Sequence, residues 1–88
     1  MHNTLIEKHN EFLSNLPFVD NLKLYNAAKA AIYVIVVERG GKQDIVRKVA
    51  NKHQVNRDEL MELIAASIPN AFFKARASRL RKYRESTY

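Results

Sequence analysis

Ala27-Ala28-Lys29-Ala30-Ala31-Ile32-Tyr33-Val34-Ile35-Val36-Val37 is the stretch that decides the fold. From Ile32 onward every residue is β-branched or aromatic, which is strand composition. The lead-in carries four alanines, the residue with the highest helix propensity. A lone strand needs a partner for its backbone groups, and no second segment of the chain has strand composition. The stretch therefore reads as helix, with Leu24, Ala28, Ala31, Ile32 and Ile35 as its inner stripe. A helix apolar on nearly all sides belongs at the centre of a bundle. The alternative that the residues leave open is a strand paired across a homodimer. The run contains Lys29 and falls far short of the ~20 residues that span a bilayer.

Working outward, Asp20 or Asn21 suits the start of this central helix, which runs to about Arg39. Gly40-Gly41 ends it, because Gly takes φ > 0 without steric cost. Upstream, Thr4-Leu5-Ile6-Glu7 fits a capping box. Leu5, Ile6, His9, Phe12, Leu13 and Leu16 follow at helical spacing, and Pro17 closes a helix over 4–16. Downstream, a helix over 43–53 turns Ile45, Val46, Val49 and Ala50 inward. Gln54-Val55-Asn56 is a short break. Asn56, with Glu59 three residues on, caps a helix over 57–68 with Leu60, Leu63 and Ile64 inward. Pro69 ends that helix, and Asn70 caps a last one over about 71–85.

The chain of 88 residues is a single domain, 1–88, expected to be all-α, a small bundle of about five helices. Only 2 Gly and 2 Pro argue against an all-β fold, which needs a turn every ~8–12 residues. Apolar residues make up 47% of the chain, enough for a core. Cysteine is absent, which excludes disulfides and thiol chemistry. The polar start carries an acid at Glu7 and does not read as a secretory signal, so the expected location is the cytoplasm.

Val46 to Leu63 resembles the helix-turn-helix (tri-helical) superfamily. The pattern asks for apolar residues at Val46 and Val49 and a small one at Ala50, where the second helix crosses close. It then asks for a turn residue, Gln54, a buried aliphatic, Val55, a cap, Asn56, and inward sites at Leu60 and Leu63. The resemblance extends over 20–68 if the central helix is the first of the three. It implies a DNA-associated regulator. In the family the turn residue, usually Gly, sits at φ > 0, so Gln54 would pay ~1–2 kcal/mol there. The second helix would face the major groove, and its outward residues include Asp58, Glu59 and Glu62 beside Arg57 and Met61.

Charge is concentrated elsewhere. The chain has 15 Lys+Arg against 9 Asp+Glu, a net +6. Residues 70–88 hold Lys74, Arg76, Arg79, Arg81, Lys82 and Arg84 against Glu85, so this basic C-terminal helix carries +5 of it. Phe72, Phe73, Ala77, Leu80 and Tyr83 share one side of it as a core stripe. Clustered guanidinium groups suit phosphates and release counterions from nucleic acid. The expected phosphate contacts are those six residues and Arg57, with DNA ahead of RNA. The rival is an adaptor or inhibitor that binds an acidic protein surface through the basic helix, or a partner through the acidic face of 57–68. His2, His9 and His53 are too scattered for a metal site, and no nucleophile or Gly-rich phosphate motif appears. The sequence gives no reason to expect an enzyme, a cofactor or a metal.

Overall fold

The computed structural model describes residues 4–77. The described residues are all helix and connecting turn: α1 (Thr4–Ser14), α2 (Leu22–Val36), α3 (Lys42–His53), α4 (Arg57–Ser67) and α5, which covers 70–77 of them. Helix α2 is the hub and packs on α1, α3 and α4. Its residues Ala27, Ala28, Ala31, Ile32, Ile35 and Val36 are completely buried. That is a four-residue rhythm, whereas a strand would bury alternate residues. Tyr33, at 42% exposure, points outward in the middle of the β-branched run. The segment is helical, so the strand paired across a dimer is excluded for it. Packing overrides propensity here: the alanines let neighbouring helices approach, and the branched residues fill the space between them.

The caps follow local chemistry. Asn21 Oδ1 accepts from the Leu24 N–H at 3.2 Å, and Asn56 Oδ1 from the Glu59 N–H at 3.0 Å. Each satisfies a donor that the first turn leaves free. Several helix ends differ from the sequence reading. Helix α1, expected to run to Leu16 ahead of Pro17, stops two residues earlier, at Ser14. Thr4 is already helical, so the Thr4–Glu7 capping box is not formed. Asn70 likewise lies inside α5, and Pro69 precedes it. Helix α2 stops at Val36 rather than near Arg39, and neither glycine after it has positive φ.

Arg39 takes the left-handed conformation instead, at φ 61°. Gly40 is needed for another reason: a Cβ there would lie 2.5 Å from Ile45 Cγ1 and 2.8 Å from Ile45 Cδ1. The chain passes so close to α3 that only a hydrogen fits. Gly41 has open space around it and stands just ahead of α3 with extended backbone.

The remaining core is contributed by Phe12 and Leu16 from the α1 side, Val46 and Ala50 from α3, and Leu60, Leu63 and Ile64 from α4, with Ile68 after it. Ser67 is buried and donates to the Leu63 carbonyl at 2.8 Å, so its hydroxyl is satisfied. Ile6, expected on the inner stripe, is 43% exposed, because α1 has only one face against the body. Ala77 is also exposed rather than inward.

Candidate nucleic-acid interface

Helices α3 and α4 are joined by Gln54-Val55-Asn56. Gln54 sits at φ 58°, ψ 48°, in the left-handed region. The Val55 N–H donates to Ala50 O at 3.0 Å and the Gln54 N–H reaches Asn51 O at 3.4 Å. These two bonds are the paired closure of a Schellman ending, with half-buried Val55 folding back over α3. Without a glycine, the left-handed residue costs about 1–2 kcal/mol, which the two bonds and the Val55 contact offset.

The exposed faces of the two helices differ in charge. The outer face of α3 carries Arg47, Lys48 and Lys52 around Asp44. Asp44 accepts from Arg47 at 2.6 Å and lies 3.3 Å from Lys48 Nζ. Hydrogen bonds from Arg47 and then Lys48 hold its carboxyl below the usual aspartate range. The face remains net positive. Helix α4 exposes Asp58, Glu59 and Glu62, with Arg57 as its one exposed cation. Arg57 and Asp58 border a small surface recess with Gln43 and Met61.

On α5, Lys74 is exposed. Arg76, expected among the phosphate contacts, is engaged within the fold. Its Nη1 donates to Ile35 O at 2.8 Å and its Nη2 to Gly40 O at 3.0 Å. One guanidinium therefore spans the end of α2 and the turn after it, where free carbonyls and the negative end of the helix dipole favour a cation. The group also stacks beside Phe72 and Phe73, 5.4 and 5.7 Å from their ring centroids. Burial, and secondarily the charge of Arg39, press its pKa below the usual arginine value. It stays protonated all the same.

No protein-family model, curated protein or solved structure matches this chain.

Arg79, Arg81, Lys82 and Arg84 lie outside the described residues, as do Leu80 and Tyr83. The aromatic stripe is packing at its described end: Phe72 meets the buried Phe12 edge-on at 5.2 Å, and Lys42 Nζ lies 4.7 Å from the Phe73 centroid. His9 packs edge-on against Tyr33 at 5.4 Å. The feature that sequence reasoning passed over is the α3 face. Lys48 and Lys52 stand at i, i+4 spacing opposite the Val46 and Ala50 stripe, and that spacing was the available signal. No helix among the described residues is long and apolar enough to cross a membrane.

Proposed function

We propose that the protein is a small nucleic-acid-binding protein, a DNA-associated regulator acting in the cytoplasm, built on a helix-turn-helix unit formed by α2, α3 and α4. The observation that carries this reading is the run of six basic residues over 74–84 without an acid. Such a run attracts a polyanion and gains from the counterions that the polyanion releases. The α3 face, with Lys48, Lys52 and Arg47, adds a second group of cations on the same small body. In helix-turn-helix proteins the first helix of the pair crosses the backbone, which suits these residues as phosphate contacts.

Base reading by α4 fits poorly, because three acids would meet a groove walled by phosphates. The reading is therefore a binder that grips backbone through Lys74, Arg79, Arg81, Lys82, Arg84 and the α3 face, with Arg57 as the one α4 contribution. Arg76 gives one N–H from each terminal nitrogen to the Ile35 and Gly40 carbonyls, so it holds α5 to α2 and is left out of the phosphate contacts; its remaining N–H groups border the groove between α1 and α5.

Fluorescence anisotropy tests this with equal-length mixed-sequence duplex DNA and duplex RNA. The reading expects submillimolar DNA binding at low salt that weakens as salt rises. Absence of binding at low salt rejects it. Asp44→Asn removes the acid that holds Arg47 and Lys48, and is expected to tighten binding. A second reading, a protein-docking adaptor, is favoured by the exposed Asp58, Glu59 and Glu62. It expects Glu62→Lys to abolish capture of a protein partner, with DNA affinity negligible throughout.

A further inference from the structure

Helices α1 and α5 border a groove of about 640 Å³, within the range of roughly 300–1,000 Å³ typical of small-molecule sites. Among the described residues its apolar lining includes Leu5, Phe12, Val36 and Phe72. Lys8, Arg39 and Arg76 border it as cations and Glu11 as an acid. Lys8 is one helical turn from Phe12 on α1, and Arg76 one turn from Phe72 on α5. Asn15 donates to the Ser67 carbonyl at 3.5 Å while Phe12 meets Phe72, so α1 and α5 run in opposite directions and Lys8 and Arg76 lie on the same side of the Phe12–Phe72 contact.

None of the three cations forms a salt bridge with a carboxylate among the described residues. Two of them repel each other: Arg39 is close enough to Arg76 to oppose its charge. Arg76 is also fixed in place by the Ile35 and Gly40 carbonyls, which use two of the five N–H donors of a guanidinium. Arg39 is held at φ 61°, although glycine follows at the next position. Non-glycine residues in that region recur at ligand clamps. Like charges gathered over an apolar floor are complementary to an anionic head group on an apolar chain.

We propose that this groove binds a small amphiphilic anion, a monomeric carboxylate carrying an apolar chain. The chain lies on Phe12, Val36 and Phe72, and the carboxylate sits between Arg39, Arg76 and Lys8. The inference is independent of nucleic-acid binding.

The test is titration of the full-length ¹⁵N-labelled protein with dodecanoate below its micelle concentration. Dodecanol and acetate serve as comparison probes. The expected result is saturable one-to-one binding, with amide shifts centred on Leu5, Val36, Phe72 and Ala75. Dodecanol should bind more weakly, and acetate immeasurably. Arg39→Gln and Lys8→Gln should each raise Kd about two- to fivefold, as the loss of an exposed ion pair does, at unchanged melting temperature. Ala75→Trp, at an exposed lining position, should block the groove. If that variant does not fold, the Arg39→Gln comparison decides. Non-saturating titration, equal affinity for dodecanol, shifts centred on the exposed Phe18 and Leu22, or an Arg39→Gln protein with wild-type affinity would each overturn the proposal.

Discussion

Replacing Arg76 with Ala removes a cation that ties α5 to the end of α2. Two bonds are lost, to Ile35 O at 2.8 Å and Gly40 O at 3.0 Å. Hydrogen bonds from charged donors are worth about 1.5–3 kcal/mol each when well buried. Arg76 is only half-buried and the freed carbonyls can take up water, so about 1 kcal/mol each is the better figure. Stacking beside Phe72 and Phe73 adds about 0.5–1 kcal/mol. Relief of the repulsion from Arg39 works the other way. The expected net loss is about 2–3 kcal/mol, and at ~4–8 °C per kcal/mol for a domain of this size it lowers Tm by roughly 10–20 °C. Arg76→Lys keeps the charge, but an ammonium lacks the planar fork that spans both carbonyls, so about half the loss remains. Lys74→Ala, on the opposite face of α5 and exposed, is the control, expected within about 0.5 kcal/mol of wild type. Thermal unfolding followed by circular dichroism reads all three. An Arg76→Ala protein that melts together with Lys74→Ala would refute the clamp.

Three further substitutions probe the fold around the α2–α3–α4 unit. Gly40→Ala drives a Cβ into Ile45 and should cost about 1–3 kcal/mol, whereas Gly41→Ala, in open space, should shift urea unfolding by less than about 0.5 kcal/mol; equal effects would show that the close approach is wrong. Ala50→Leu should overpack a site that is 3% exposed and cost about 1–3 kcal/mol, and an unchanged denaturation midpoint would count against a close α3–α4 crossing. Gln54→Gly relieves a left-handed residue and should raise stability by up to about 1 kcal/mol, since the gain exceeds the added freedom of glycine in the unfolded chain; a loss of stability would mean the turn is not left-handed at that position.

The helices were legible because their signals are local. Apolar spacing located α1 to α4, and Asn21 and Asn56 marked two helix starts by a side-chain oxygen. What the sequence left ambiguous was Ile32–Val37, where strand propensity and burial disagree, and tertiary packing on α2 resolves it. Gly40 was misread in kind: a glycine after a helix signals either positive φ or close approach, and only coordinates tell the two apart. Arg76 carried a faint mark. It lies four residues after Phe72, the spacing at which helical side chains meet, but among neighbouring bases it looked like one more exposed cation. Its two carbonyl partners are 41 and 36 residues away in the chain, beyond the reach of any spacing rule.

The central claim is that basic side chains hold a nucleic-acid backbone without reading bases. The most direct test is the slope of log affinity against log salt for duplex DNA, measured for wild type and for Arg79→Ala, Lys82→Ala and Lys52→Ala, each on two unrelated sequences. The account predicts that each variant weakens binding equally on both sequences and flattens the slope by up to about one unit. Parallel slopes with unchanged affinity, or a loss confined to one sequence, would contradict it.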